Sequence, residues 1–377
     1  MRIIDRYLLS QFLKTFLICY ISLSGLFIVF DAFTNLEEFM RSAEKAGGLA
    51  KLMGTYYVYK AIFFFDRTSG FLVLVSAMFT VAWLQRHNEM TALLAAGVSR
   101  LRVIKPVLVA AVAITLLAAA SRELLIPPFR DEMAKRPQDL VGDVAQELSP
   151  TCDAQTGIYI RGKSTYADKR RIHHPDFVMP TRLSEYGRYL AAEDAYYRPP
   201  EGKRPGGYLF TQLEKPKDLG QRPSLMLDGQ PVLITPRDAS DWLKPDECFV
   251  VSGVTFEQLT GAKSRPFCST AQLIRGLQNP SFESGADIRI AIHSRFVQPL
   301  LDLTLLFLGL PLVLTREGRN VFIAMGLCGV LVAGFMVLGI LCQQLGKSYV
   351  ISSALAAWAP LMLSVPIAVG LSDAMGK

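Results

Sequence analysis

Asn88-Glu-Met-Thr-Ala-Leu-Leu-Ala-Ala-Gly97 joins an acidic residue to an apolar stripe, in a segment held between two long apolar runs. Met90, Leu93, Leu94, Gly97 and Val98 recur at helical spacing and define one face of a short helix, residues 88–97. Asn is a favourable N-cap residue, Glu89 complements the positive start of a helix, and Gly97 offers a stop. Arg86, Arg100, Arg102 and Lys105 flank the segment, which places it at the cytoplasmic face of a membrane. Such a helix either docks a soluble partner, with Glu89 meeting a basic residue there, or lies on lipid headgroups. Periodicity alone leaves both open.

The other reactive residue types form no catalytic pattern. Gly346-Lys-Ser348 has the ending of a phosphate-binding loop, but Leu341 stands where its first glycine is required. No further nucleotide motif accompanies it, and no ATP site is expected in this chain. His173 and His174 precede Pro175 and read as a solvated loop without an acidic or Cys partner at ligand spacing, so no metal is expected. Cys152, Cys248 and Cys268 also lack metal-ligand spacing, and no Ser-His-Asp or Cys-His arrangement emerges. No catalytic residue and no cofactor is expected. Asp302 lies inside an apolar run, where a carboxylate is a functional group, a helix–helix hydrogen-bonding group or the lining of a water-filled crevice. Asp66 and Arg67, near the outer end of another run, are placed to pair or to snorkel at the interface.

These residues are carried by a chain too apolar for an ordinary soluble protein: 51% of its 377 residues are hydrophobic and its mean hydropathy is +0.28. The net charge of +7 is concentrated around apolar runs rather than on a basic–aromatic platform, which suits a membrane surface and not a nucleic acid. Apolar runs near residues 15–30, 61–84, 103–120, 292–315, 321–343 and 349–372 each approach the ~20 residues that cross hydrocarbon. The first is read as a retained span with its amino terminus inside, because no small-x-small cleavage site follows it. Residues 316–320 read as a basic cytoplasmic turn, and Gly326, Gly329, Ala333 and Gly334 as a small-residue face for close helix approach. Between the third and fourth runs the chain is polar, punctuated by Pro and Gly, and rich in short strand-like segments. The expected architecture is an α-helical polytopic membrane protein with six transmembrane helices and an inserted all-β, jelly-roll-like domain. Its parts are residues 1–121, 122–287 and 288–377. An odd number of spans precedes the β-domain, which therefore lies outside the cytoplasm.

Glu89-Met-Thr-Ala-Leu-Leu-Ala-Ala-Gly-Val-Ser99 resembles the coupling helix of the lipopolysaccharide-export permeases, the LptF/LptG family of ABC transporter subunits. Ile292-His-Ser-Arg-Phe-Val-Gln-Pro-Leu300 with Leu308-Gly-Leu-Pro-Leu312 resembles the family's fourth span, and Ala356-Ala-Trp-Ala-Pro360 its sixth. A related Glu…Gly-x-Ser pattern occurs in FtsX/MacB-like permeases, which transmit force to an outer domain. Those usually have four spans, with the large domain between the first two. A membrane-bound lipid-modifying enzyme using Asp66 or Asp302 is a third possibility, and it lacks convergent polar residues on several spans.

The resemblance implies a non-catalytic permease of the bacterial inner membrane with a periplasmic β-domain. Its partners would be a cytoplasmic ATPase dimer, a homologous permease and a periplasmic lipid-bridge protein. Its substrate would be lipopolysaccharide or a similar glycolipid, moved between the first and fifth spans into the β-domain. Glu89, Met90, Leu93, Leu94, Gly97 and Val98 would couple to the ATPase. A lysine cluster of the family is replaced here by Asp31, Glu37, Glu38, Arg41 and Lys45. Phosphates on the lipid would favour Arg41, Lys45 and Lys51, which are otherwise interfacial anchors.

Overall fold

The computed structural model describes residues 3–46, 48–137, 140, 145–146, 148–166, 169–202, 204–260, 265–281, 285–314 and 321–376. Its helices are α1 (Ile3–Thr34), α2 (Leu36–Ala46), α3 (Leu49–Arg86), α4 (Glu89–Ala95), α5 (Arg100–Ala120), α6 (Arg130–Ala134), α7 (Phe256–Thr260), α8 (Thr270–Leu277), α9 (Ala286–Leu314), α10 (Val321–Lys347) and α11 (Ser353–Gly376). Among the described residues six of these, α1, α3, α5, α9, α10 and α11, are long and apolar enough to cross a membrane. Helices are what such runs must form, because hydrocarbon offers no water to bond an open backbone. Several continue well past their apolar runs. With 38 residues, α3 is about 57 Å long at ~1.5 Å per residue, against a hydrocarbon core of about 30 Å. The expected turn at 316–320 lies outside the described residues.

The chain divides into two compact units. The helical unit holds residues 1–36, 50–133 and 285–377; the other holds 37–49 and 134–284. The composition change at Arg122 thus precedes the boundary, because α5 runs on through a π-turn (Ser121–Leu125), a short 3-10 turn (Pro127–Phe129) and α6.

The core of the helical unit is built by Leu8 and Phe12 of α1, Leu72 and Leu74 of α3, Ala111 of α5 and Leu306 of α9, all essentially inaccessible. Glycines set two of its closest approaches. A Cβ on Gly309 would stand 2.3 Å from Leu74 Cδ1, and one on Gly346 would stand 2.4 Å from Ala356 Cβ. Gly326, Gly329 and Gly334, by contrast, have nothing within 4 Å of an added Cβ. Among the described residues, the small-residue face of α10 therefore mediates no close packing.

Among the described residues, a set of charged groups within the helical unit lies on α3, the π-turn after α5, and α9. Arg122 Nε and Nη2 both approach Asp66 Oδ1 at 2.8 Å, and Asp66 is only 8% exposed. One turn along α3, Gly70 leaves room for the Asp302 carboxylate: an added Cβ would lie 2.3 Å from its Oδ1. Gln298 Nε2 donates to that same oxygen at 2.8 Å, and Arg295 Nη1 lies 3.5 Å from Glu123 Oε1. Asp66 thus pairs with Arg122 rather than with its neighbour Arg67, which is exposed and sits over the Phe63 ring. The Asp302 hydrogen bond is made within α9, to Gln298 one turn earlier, while across helices its carboxylate packs against Gly70 of α3. An ionised group in a low-dielectric interior is tolerable only when paired, and the π-turn presents both Arg122 and Glu123 for pairing.

In the other unit nine strands form one curled antiparallel sheet. They are β1 (Thr151–Cys152), β2 (Tyr159–Ile160), β3 (Gly162–Tyr166), β4 (Arg171–Val178), β5 (Tyr189–Arg198), β6 (Gly207–Lys215), β7 (Leu225–Leu227), β8 (Gln230–Ile234) and β9 (Cys248–Val251). The order is β1-β2-β4-β5-β6-β9-β8-β7, with β3 also paired to β4. Phe177, Tyr208 and Phe210 are fully buried together on one face, and Phe249, opposite Leu209 in the register, is fully buried on the other. The Phe177 and Phe210 rings meet edge-on at 4.8 Å, and Tyr208 Oη donates to the Val254 carbonyl at 2.8 Å. Burial pushes the Cys248 thiol above its ordinary range, so it behaves as a small hydrophobe.

His173 and His174 lie in β4, not in a loop. Pro175 is accommodated where β3 begins, opposite Gly162. His173 also has an acidic partner that linear spacing hides: its Nδ1 is 3.0 Å from Asp194 Oδ1 on β5. Arg171 Nη1 reaches the other oxygen of Asp194 at 3.2 Å.

The Arg122–Asp66 pair yields a stability prediction. Arg122→Ala strands a buried carboxylate, and removing one partner of such a pair costs about 3–5 kcal/mol. The expected result is a clearly lower melting temperature in detergent, whereas Asp66→Leu combined with Arg122→Met melts near the wild type. An unchanged melt for Arg122→Ala would show that the pair does not hold α3 to α5.

Candidate functional site

The loop between α3 and α5 is short and rigidly mounted. Asn88 leaves α3 in the left-handed region (φ 60°) and makes no side-chain cap, so its part is to turn the chain and not to bond the helix start. Asn and Asp tolerate that conformation better than other residues with a Cβ. Helix α4 ends at Gly97, whose φ of 80° suits glycine. There Gly97 N–H donates to Leu94 O at 2.9 Å and Val98 N–H to Leu93 O at 3.1 Å. This pair of reversed bonds is a Schellman closure. Two residues later the Ser99 carbonyl accepts from Arg102 N–H at 3.0 Å and α5 begins.

Burial on α4 revises the expectation for its faces. Met90 is 5% exposed and belongs to the bundle's own core, with Leu93, Leu94 and Val98 half-buried against it. An apolar stripe tethered this closely to an apolar bundle is removed from water by its own chain first. The exposed face consists of Thr91, Ala92, Ala95, Ala96 and Gly97, with Ser99 just beyond. Small side chains let a second surface come close to the helix backbone.

Glu89 sits half-buried at the start of α4 and is held by a residue far away in sequence. Tyr7 Oη donates to Glu89 Oε1 at 3.2 Å, across 82 positions. Beside it, Arg102 Nη2 lies 3.1 Å from Asp5 Oδ2. The first turns of α1, the start of α4 and the start of α5 are thus joined by polar contacts at one end of the bundle. Nothing in the local sequence pattern marks Tyr7 or Asp5. Their signal would have been an aromatic hydroxyl and a carboxylate at the start of the first apolar run.

Arg41, on α2, is engaged with Glu37 at 2.5 Å as an exposed i,i+4 pair. Lys51 is exposed in the first turn of α3, and the side chain of Lys45 lies outside what is described. The outer end of α1 is instead tied to α3 by Tyr57 Oη, which donates to Asp31 Oδ2 at 3.0 Å. Gly346 and Lys347 end α10, with Ser348 just after, so they present helix-terminal carbonyls and not the N–H groups that hold phosphate. Among the described residues no group of three or more His, Cys, Asp or Glu is placed to hold a metal ion.

The family model for the lipopolysaccharide export system permease LptF/LptG matches residues 6–174 and 215–373. No curated protein shows significant similarity to the chain. The match takes in the helical segments on both sides of the sheet, the loop carrying Glu89 and part of the sheet itself. With six membrane-crossing helices split three and three around a β-unit, and a family match over most of its length, the chain belongs to the LptF/LptG family of lipopolysaccharide export permeases.

Proposed function

We propose that this chain is a non-catalytic permease subunit that works with a homologous permease and a cytoplasmic ATPase dimer. It withdraws lipopolysaccharide or a similar glycolipid from the inner membrane and passes it to a periplasmic bridge protein. The observation that carries this reading is α4: a closed helix on short tethers between two spans, with Glu89 at its start and a small-residue face exposed. Such a mount transmits a push without flexing. Met90, Leu93, Leu94 and Val98 seat the helix in the permease, Gly97 closes it, and Glu89 with the Thr91–Ala92–Ala95 face meets the ATPase. Lipid contact alone needs no closed helix of this kind.

Moving such a lipid requires cover for its acyl chains, since each CH₂ exposed to water costs about 0.8 kcal/mol. In this reading the β-unit, preceded by three spans, lies in the periplasm and shields the acyl chains with its apolar side chains. Entry between the first and fifth spans follows the family reading. Arg41, Lys45 and Lys51 are assigned to the lipid phosphates, with Arg41 exchanging Glu37 for a stronger, multiply charged anion.

Three measurements test this reading. Lys163→Cys, exposed on β3, is expected to react with an impermeant thiol reagent from the periplasmic side, and Ser99→Cys only after permeabilisation. The reverse pattern removes the periplasmic assignment. Glu89→Lys is expected to lose the ATPase on purification in mild detergent, because truncating or reversing a shielded charge at an interface costs about 2–5 kcal/mol. Full ATPase retention and wild-type export in Glu89→Lys would defeat docking and favour headgroup contact, where removing a negative charge is neutral or mildly helpful. Charge reversal at both Arg41 and Lys45 is expected to lower lipid-stimulated ATP hydrolysis while the complex stays assembled; unchanged stimulation makes them interfacial anchors only.

A further inference from the structure

The coupling loop is not an isolated appendage of α3 and α5. Its acidic residue is bonded to Tyr7 at 3.2 Å, and the first residue pair behind it, Asp5–Arg102, closes at 3.1 Å. Leu8 and Phe12, the next turns of α1, share a buried core with Met90 of α4. Most of the buried residues of α1, namely Leu8, Phe12, Thr15 and Phe16, lie in this cytoplasmic half. Toward the outer end, Val29, Phe30 and Phe33 are exposed.

We propose that the foot of α1 and the loop carrying α4 move as one body, with Tyr7 and Asp5 as positioning residues that orient Glu89 and carry loop motion into the first span. This rests on the reading of α4 as the ATPase contact. A carboxylate has two oxygens. The tyrosine hydroxyl occupies one and fixes the side-chain rotamer, which leaves the other directed to a basic group of the partner. The Asp5–Arg102 pair keeps the α1 foot in register with the start of α5, so that Tyr7 stays within reach of Glu89. Both contacts are partly solvent-exposed and contribute little to folding stability. Their loss is therefore read in coupling rather than in assembly. Held at one end by these contacts, α1 converts a displacement of the loop into a displacement of the span.

The test uses the complete complex, with both permeases and the ATPase, in vesicles of phospholipid and lipopolysaccharide. The quantity measured is lipopolysaccharide released per ATP hydrolysed. Asp5→Arg and Arg102→Asp singly are expected to lower that ratio several-fold with the ATPase still bound, and the two combined are expected to recover most of it. Tyr7→Phe, which deletes only the hydroxyl, is expected to lower the ratio about threefold, as for loss of an ordinary, solvent-exposed hydrogen bond. Unchanged ratios in the single variants would overturn the proposal, as would a double swap that assembles without recovering transport. Loss of the ATPase in the Asp5 or Arg102 variants would also overturn it, since these residues would then hold the partner directly. The docking reading fails separately, if Glu89→Lys in the same preparation keeps the ATPase.

Discussion

Hydrocarbon satisfies no hydrogen bond and screens no charge, and the helical unit is organised by that constraint. Its apolar runs can only be helices, and its ionised groups can only sit where another group answers them. Asp66 is answered by Arg122 and Glu123 by Arg295, while Asp302 is bonded to Gln298 and lodged against the bare backbone of Gly70. The contacts fall on three helices that are distant in sequence and fix their register. They also explain the π-turn at the end of α5, which sets two consecutive charged residues toward α3 and α9. A substitution that leaves one of these charges alone is felt by the whole bundle.

At the opposite end the constraint is geometric. Only two residues separate α3 from α4 and four separate α4 from α5, so the short helix has little freedom. Its apolar stripe is spent on the bundle, and what remains for a partner is an acidic residue and a patch of small side chains. That division of labour follows from burial alone: the nearest apolar surface available to Met90 belongs to the same chain. The proposed function supplies a reason for such a mount, since a permease driven by a separate ATPase would receive work through it.

Much of this was legible in the sequence. Six apolar runs of spanning length, a polar Pro- and Gly-punctuated middle, and basic residues around residues 86–105 were enough for the layout. What remained hidden was whatever depends on distant partners or on competition between elements. Periodicity identified the Met90–Val98 face correctly as one face, but it carries no information about whether that face turns to the bundle or to a partner. Asn88 has the right type for a cap and serves as a left-handed turn instead, because the chain must reverse sharply there. Pro175 disguised a strand, and the Asp194 that pairs with His173 is 21 positions away on the next strand. Helix ends were also invisible to hydropathy, since polar turns such as Leu49–Lys60 extend α3 beyond its apolar run.

The central claim is that this permease, driven by a separate ATPase, handles a phosphorylated glycolipid. Native mass spectrometry of the complex purified in mild detergent tests it most directly, because it reads subunits and bound lipid together. The account predicts an assembly of two permeases and two ATPase subunits carrying lipopolysaccharide or a related multi-chain phosphoglycolipid, with the lipid released on ATP addition. An assembly that retains only ordinary phospholipid, or a permease that purifies without any ATPase, would contradict it.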